Sequence, residues 1–287
     1  MTLHDAAWLD LMYNNRARVS NFAECVDRWQ RESAQARVQL RSVLDQRYGV
    51  SGRERLDIFP ADRPGAPVAV FIHGGYWRSM DKSDHSFLAP ALHAMGATVV
   101  LPGYDLCPAL TIPQITMQMV RALAWVWRHI ERFNGDPNRI TVMGHSAGGH
   151  LTAMLLSCRW SDFDPSLPAS LVRRGLSISG LHDLEPVSRA PFLREDLKLT
   201  AEDVRRASPA LLPAPRQACL YAVAGAEESS EFVRQTQLIQ SAWGPSVVPV
   251  CEVIPGPNHF TVVDALGHSG SRLNQLAREL IEASSVD

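Results

Sequence analysis

The chain has 287 residues, a formal net charge of −2 and a hydrophobic fraction of 46%. This length and composition fit one globular domain, and the weakly negative charge excludes the basic surface expected for binding nucleic acid or an anionic membrane. No apolar stretch reaches the roughly 18 residues that span a bilayer, and the N-terminus lacks the basic start and apolar core of a signal peptide.

The number and spacing of the cysteines indicate whether the protein resides in a reducing or an oxidising compartment. Scattered cysteines in apolar segments, with no C-x-x-C pair, predict buried free thiols under reducing conditions. We therefore expect a cytoplasmic protein, and the sequence leaves open a homodimer. The five cysteines are Cys25, Cys107, Cys158, Cys219 and Cys251.

The first predicted element is a helix within an N-terminal helical segment of about residues 1–48. Apolar or small residues recur at helical spacing from Phe22 to Val43, and Ser20 precedes them as the expected N-cap. Residues 55–59 follow as the first predicted strand. No Gly/Ser-rich linker, charge run or repeat divides the chain, so residues 1–287 are predicted to form a single domain.

The next element is a buried strand that ends in a glycine pair. Residues 68–72 are apolar and lead into His-Gly-Gly-Tyr-Trp at 73–77, which resembles the oxyanion loop of serine hydrolases. Read alone, His-Gly-Gly also fits a plain turn. As an oxyanion loop, it predicts that the backbone N–H groups of Gly75, Tyr76 and Ala147 stabilise the negative charge of a tetrahedral intermediate.

Strands and helices then alternate along the chain. Residues 97–101 form another predicted strand, and a long helix starts near Pro113 with one apolar face. A final helix is expected at about residues 271–283. Strand and helix repeated in this way predict an α/β fold with a mostly parallel sheet covered on both faces.

The most informative motif is Gly-His-Ser-Ala-Gly at residues 144–148. An apolar strand precedes it and helix-forming residues follow it, which is the context of a nucleophile elbow. The serine of such an elbow occupies a strained turn, and side chains two positions away on either side would collide with backbone. We therefore predict that Ser146 is the nucleophile.

A segment at about residues 185–215 interrupts the alternation. Its flanks are rich in proline, and Thr200 and Asp203 form a predicted capping box. This pattern predicts a small helical cap over the active site, and a long irregular connection is the alternative.

A catalytic base is expected late in the chain, because in this arrangement the triad runs serine, acid, histidine. His259 follows a strand-like segment that ends at Ile254. His268 is the competing histidine, but no strand immediately precedes it. We therefore predict that His259 is the base.

The acid is expected just after the preceding strand, where carboxylates point into the same cleft. Glu228 is our choice, and its neighbour Glu227 is the residue most easily confused with it. Asp183, one strand earlier, is a third candidate, although an aspartate at that place more often caps a helix or turn.

Five segments, spread over nearly the whole chain, together resemble the kynurenine formamidase (arylformamidase) branch of the α/β-hydrolases. The resemblance implies an α/β-hydrolase fold, no cofactor, and hydrolysis of N-formylkynurenine. It also implies Gly75 and Tyr76 as oxyanion donors and places the acid at Glu228, where many members of the branch carry aspartate. The segments are Tyr13-Asn14-Asn15-Arg16, His73-Gly74-Gly75-Tyr76-Trp77, Asp136-Pro137-Asn138-Arg139, Ser179-Gly180-Leu181-His182-Asp183-Leu184 and Glu228-Ser229-Ser230-Glu231-Phe232.

Several side chains next to these motifs are candidates for contact with an aryl substrate. Arg16 has two interpretations, a contact with a substrate carboxylate or a bridge to an acidic residue that fixes the N-terminal segment, and we favour the bridge. The aromatic candidates are Trp77, Tyr104, His182 and Phe260.

Three further functions compete with an arylformamidase. A general short-chain carboxylesterase shares the same triad, and a hydrolase-fold protein that only binds ligands shares the same fold. A metal-dependent amidase is disfavoured because the chain has no His-Glu-x-x-His motif. His73, Asp84 and His85 could be ligands, but His73 is better explained by the oxyanion loop. We therefore expect a small-molecule substrate and no metal or other cofactor.

Overall fold

The computed structural model describes residues 5–284, which form one eight-stranded sheet in the order β1-β2-β4-β3-β5-β6-β7-β8. Strands β1 and β2 are antiparallel to their neighbours, and every pairing from β4 to β8 is parallel. The strands are β1 (Val43–Arg47), β2 (Arg55–Phe59), β3 (Ala66–Ile72), β4 (Thr98–Pro102), β5 (Gly135–His145), β6 (Arg174–Ile178), β7 (Cys219–Gly225) and β8 (Val250–Ile254).

Helices cover both faces of the sheet. The helices are α1 (Ala6–Tyr13), α2 (Asn15–Arg18), α3 (Phe22–Gln39), α4 (Ala89–His93), α5 (Ile112–His129), α6 (Ala147–Leu156), α7 (Trp160–Phe163), α8 (Glu185–Arg189), α9 (Pro191–Leu197), α10 (Ala201–Ala207), α11 (Ser230–Trp243), α12 (Thr261–Gly267) and α13 (Arg272–Ala283). Short 3-10 segments lie at Lys82–Leu88, Ile130–Phe133 and Pro209–Leu211. Within residues 5–284, no helix is both long enough and apolar enough to cross a membrane.

Two hydrophobic clusters, one on each face of the sheet, hold these layers together. Helices α5, α6 and α11 pack on one face, and α3, α4, α12 and α13 pack on the other. Strand β3 shows why: Val68 and Val70 point into the first cluster, whereas Ala69 and Phe71 point into the second. A strand buried on both sides must be apolar at every position, which explains the continuous apolar run in its sequence.

The structure confirms the predicted α/β-hydrolase fold, with one difference in the N-terminal segment. The predicted helix over Phe22 to Val43 ends at Gln39, because Leu40 adopts an extended backbone, and Val43 instead begins strand β1. That strand lies at the sheet edge and pairs antiparallel with β2. The helical segment therefore stops short of residue 48.

The segment at residues 185–215 is largely helical. It contains the short helices α8, α9 and α10, and the predicted capping box at Thr200 and Asp203 starts α10. Helix α9 places Phe192 beside the cavity described below.

Candidate active site

The candidate residues come together because they follow the carboxyl ends of neighbouring strands. Residues 73–77 follow β3, Ser146 follows β5, Glu228 follows β7 and His259 follows β8. In an open parallel sheet these ends meet along one edge, where ligands bind. Gly75, Tyr76, Ser146 and His259 accordingly line one cavity.

Ser146 occupies a strained turn between β5 and α6. Its φ of 56° and ψ of −116° lie in a region that residues with a side chain rarely adopt. A Cβ on Gly144 would lie 2.2 Å from the carbonyl oxygen of Gly148, and a Cβ on Gly148 would lie 2.0 Å from that of Ile72. The two glycines are therefore required for the turn. The Ser146 amide also donates to the Ile178 carbonyl at 2.8 Å, which fixes the turn against the neighbouring strand.

Glu228 and His259 form a close pair. The Nδ1 atom of His259 lies 2.6 Å from Oε2 of Glu228. The other carboxylate oxygen accepts hydrogen bonds from the Ser179 hydroxyl at 2.5 Å and the Gly225 amide at 2.7 Å. An imidazole that donates its Nδ1 hydrogen to a carboxylate presents Nε2 as a proton acceptor. The pair is thus arranged as the base and orienting acid of a triad.

The competing residues lie elsewhere. Glu227 is exposed, and Asp183 accepts a hydrogen bond from the Glu185 amide at 3.1 Å. His268 is exposed just after α12. Among the candidates, the structure brings only Glu228 to the ring of His259.

The loop after β3 presents free amide groups. Gly75 has a φ of 101°, and a Cβ there would lie 2.3 Å from the carbonyl oxygen of Ser79, so only glycine fits. Tyr76 continues the left-handed backbone with a φ of 51°. Within residues 5–284, no protein acceptor takes the amide hydrogen of Gly75, Tyr76 or Ala147. Free N–H groups of this kind are what an oxyanion requires.

Tyr104 and His73 hold this loop in place through ring stacking and hydrogen bonds to its backbone. Their rings are stacked with centroids 4.2 Å apart, and the Tyr104 hydroxyl donates to the His73 carbonyl at 2.9 Å. Burial lowers the pKa of His73 to about 3, so the ring is neutral and donates from Nδ1 to the Gly74 carbonyl at 2.8 Å. These contacts hold the loop in the shape that exposes its amides.

Three of the four aromatic candidates lie outside the cavity. Trp77, Tyr104 and His182 are fully buried, and none lines it. Trp77 packs edge-on against His150 with centroids 4.9 Å apart. These three side chains are packed in the protein interior and do not reach this cavity, because adjacency to a motif does not fix where a side chain points. Phe260, the fourth candidate, does line the cavity.

His182 and His145 are buried imidazoles next to the site. Burial lowers the pKa of His182 to about 3, and its ring lies 3.2 Å from the Ser177 hydroxyl. Burial and the proximity of His259 hold the pKa of His145 well below its usual value. Both rings are therefore neutral and add no positive charge beside His259.

The cavity itself is small, about 30 Å³. Several of its residues come from segments that the sequence interpretation did not assign to substrate binding. Arg78 directly follows the loop at 73–77 and Phe192 lies in the predicted cap, so their positions offered a signal. Asn15 belongs to the Tyr13-Asn14-Asn15-Arg16 segment that carries the family resemblance, but the sequence assigned it no contact. The lining residues are Asn14, Asn15, Arg16, Gly75, Tyr76, Arg78, Ser79, Met80, His145, Ser146, Phe192, His259 and Phe260.

The expected acidic bridge from Arg16 is not formed. Arg16 instead donates to the Ser79 hydroxyl at 2.8 Å, and within residues 5–284 no carboxylate lies within ion-pair distance of it. The N-terminal segment is fixed by Tyr13, whose hydroxyl donates to Glu231 at 2.5 Å and whose carbonyl accepts from the Tyr76 hydroxyl at 2.6 Å. Arg16 therefore lines the cavity and is not needed to fix the N-terminal segment.

Comparisons with known proteins identify the class first. Residues 69–240 match the α/β-hydrolase fold family, and the chain belongs to that family. The crystal structure of a candidate thioesterase from Silicibacter sp. TM1040 superposes with a TM-score of 0.82 at 29% identity, covering 94% of this chain and 97% of that one.

Sequence relatives narrow the assignment. Kynurenine formamidase from Danio rerio is 30% identical over 257 residues, which cover 87% of this chain and 85% of that protein. The protein of the same name from Drosophila melanogaster is 26% identical over 248 residues, covering 82% and 80%. The chain is thus a kynurenine formamidase-like α/β-hydrolase, an enzyme of the amidase and esterase type.

Proposed function

We propose that this enzyme cleaves small aryl N-formyl amides, with N-formylkynurenine as its substrate and kynurenine and formate as products. The observation that carries the proposal is the 2.6 Å pair of Glu228 and His259, because His259 lines one cavity with Ser146 and with Gly75 and Tyr76, whose amides are free. The names of the sequence relatives support the choice of substrate.

In the first half of the reaction, the Ser146 hydroxyl attacks the formyl carbon. His259 takes the hydroxyl proton, and the amides of Gly75, Tyr76 and Ala147 bind the oxyanion that forms. The tetrahedral intermediate then collapses, its C–N bond breaks, and the arylamine leaves with the proton from His259. A formyl ester on Ser146 remains.

In the second half, water attacks this ester. His259 accepts one proton from the water and returns it to the serine oxygen as formic acid leaves, and the acid then releases its proton to solvent and becomes formate. Glu228 remains a carboxylate throughout, holding the imidazole in one tautomer and stabilising its charged form.

The size of the cavity supports a small acyl group. A space for one water molecule needs about 10–15 Å³, and the whole cavity, which the leaving group must share with the acyl group, measures about 30 Å³. A formyl group is the smallest acyl group, with two heavy atoms, so it requires the walls to move least, and a butyryl chain requires them to move further.

The test is turnover of N-formylkynurenine beside aryl esters of short acids. We expect kynurenine and formate in equal amounts, with a higher kcat/KM for the formamide than for an aryl acetate after correction for spontaneous hydrolysis. Good ester turnover with no formation of kynurenine would contradict the proposed substrate.

A second candidate is hydrolysis of short-chain esters or thioesters. The similarity to the candidate thioesterase favours it, and the same residues would perform the same two steps. The two candidates differ in the acyl group that they accept.

A further inference from the structure

The cavity wall carries an imbalance of charge that the hydrolytic steps do not use. Arg16 and Arg78 both line the cavity, and among its described lining residues there is no aspartate or glutamate. The chain as a whole has a net charge of −2, so this positive patch is local.

The two arginines differ in how their charge is compensated. Arg78 forms a salt bridge with Asp196 and donates to the Phe192 carbonyl at 2.9 Å. Arg16 has a hydroxyl as its hydrogen-bond partner, that of Ser79. Arg16 remains exposed to solvent, and partial loss of its hydration together with the charge of Arg78 lowers its pKa from the usual value. An anion placed at Arg16 would offset the repulsion between the two guanidinium groups, because it would supply an opposite charge.

Asn15 gives a second, independent indication of a polar ligand. The residue is only 3% exposed and lies in the cavity wall, yet within residues 5–284 neither its Oδ1 nor its Nδ2 atom has a protein partner. Buried amides in proteins are normally hydrogen-bonded. The wall therefore holds an unused donor and an unused acceptor next to an uncompensated guanidinium.

We propose that Arg16, together with Asn15, binds a carboxylate on the leaving-group half of the substrate and so selects anionic aryl amides and esters over neutral ones. A guanidinium matches a carboxylate in geometry as well as charge, because two parallel N–H groups meet two oxygens. Arg78, held by Asp196, adds positive charge. The inference rests on the proposed function for the reaction, and N-formylkynurenine carries such a carboxylate.

Two pairs of substrates test this selectivity. The first pair is N-formylkynurenine and its α-carboxamide. The second pair is the acetate esters of 3-(4-hydroxyphenyl)propionate and of 3-(4-hydroxyphenyl)propionamide, which differ only in the charge at the far end. We expect the wild-type enzyme to prefer the carboxylate member by about 10- to 100-fold in kcat/KM, mainly through KM, because a charged hydrogen bond is replaced by a neutral one.

Two substitutions of Arg16 and one control locate the effect. Arg16→Gln is expected to reduce the preference to below about threefold, and Arg16→Lys to retain an intermediate preference, since a lysine keeps the charge without the fork of donors. Arg18→Gln is the matched control, because Arg18 is exposed on the same short helix and does not line the cavity. It should leave the preference intact, and thermal melts check that each variant folds.

The outcomes separate this inference from the proposed function. If the ester pair is discriminated but no formamide is cleaved, the substrate proposal fails and the role of Arg16 stands. If the wild type does not distinguish the members of either pair, or Arg16→Gln keeps the preference, the role of Arg16 is refuted. If neither pair is turned over, calorimetric Kd values for 3-phenylpropionate and 3-phenylpropionamide decide, with tighter carboxylate binding lost in Arg16→Gln as the expected result.

Discussion

The two sides of the cavity are built differently. On the side formed by the strand ends, protein contacts fix the candidate groups: both oxygens of Glu228 are hydrogen-bonded, and the loop after β3 is held by His73 and Tyr104. On the side formed by the N-terminal segment and α9, Asn15 has unpaired side-chain atoms and Arg16 lacks an acidic partner within residues 5–284. The first side therefore holds its free amides in a preorganised loop, whereas the second offers an unpaired side-chain amide and an arginine without an acidic partner. Substitutions should therefore affect kcat on the first side and substrate selection on the second.

The largest effect is expected at the elbow. Ser146→Ala removes the proposed nucleophile, so kcat should fall by at least about 10⁴-fold while the melting temperature stays close to that of the wild type. A serine-directed phosphonate should label Ser146, as read by peptide mass spectrometry. Ser161→Ala, at an exposed serine of α7, is the control. Substantial activity in Ser146→Ala, or labelling elsewhere, would reject the assignment.

The second-largest effect on kcat is expected at Glu228, the proposed acid. Glu228→Gln keeps the shape but loses the carboxylate that orients His259, so kcat should fall by about 10³- to 10⁴-fold. The exposed neighbour Glu227 offers a matched control, and Glu227→Gln should change kcat by less than about twofold, as expected for an exposed side chain with no role in the site. A larger loss in Asp183→Asn than in Glu228→Gln would place the acid one strand earlier.

The third-largest effect on kcat is expected in the loop at residues 73–77, the proposed oxyanion loop. In Gly75→Ala the new Cβ meets the Ser79 carbonyl, which displaces the amide, and loss of one donor costs about 10²- to 10³-fold in kcat. Gly65→Ala controls for backbone strain alone, because Gly65 also has a positive φ, of 72°, with open space around it. Equal losses of activity in both variants would show that strain, and not the displaced amide, is responsible.

Low pH should lower the free energy of unfolding through the buried His150. Burial lowers the pKa of His150 from 6.5 to about 4, so the unfolded chain binds a proton that the folded chain does not. The free energy of unfolding should therefore fall as the pH drops from 6.5 to 4, by about 3 kcal/mol for this residue. Denaturant titrations across this range should show a shallower fall in His150→Gln, and no change in slope in the exposed control His268→Gln. An unchanged slope in His150→Gln would contradict the burial argument.

The smallest effect is expected at the cap. Phe192 lines the cavity, and Phe192→Ala removes a ring that an aryl leaving group would contact, worth about 2- to 10-fold in KM. Phe163→Ala is the control, because Phe163 is 38% exposed and lies on α7, outside the cavity. A drop in kcat without a change in KM would mean that Phe192 belongs functionally to the catalytic side.

The two sides also differ in how far the sequence predicts them. The elbow at residues 144–148 and the loop at 73–77 are local patterns, since the backbone geometry itself demands glycine at fixed spacing. The order of Glu228 and His259 follows from the fold. These features were therefore accessible from the sequence, and the structure places them around one cavity.

The binding side depends on contacts between distant segments, which leave no local pattern. Arg16 and Phe192 are 176 positions apart yet line the same cavity. Side-chain direction is equally hidden, since the sequence does not show that Trp77 and Tyr104 point into the protein interior and away from this cavity. Strand β1 was missed because its polar residues at an exposed sheet edge do not show an apolar alternation.

The measurement that tests the account most directly is the dependence of kcat/KM on acyl length, from formyl through acetyl to butyryl, with the aryl leaving group held constant. A preorganised catalytic side in a cavity of about 30 Å³ leaves little room beside Ser146 and predicts a decline, by about 10- to 200-fold for each methylene that does not fit. A general esterase would gain from apolar burial as the chain lengthens. Values of kcat/KM that rise toward butyryl would contradict the formamidase account and favour the esterase.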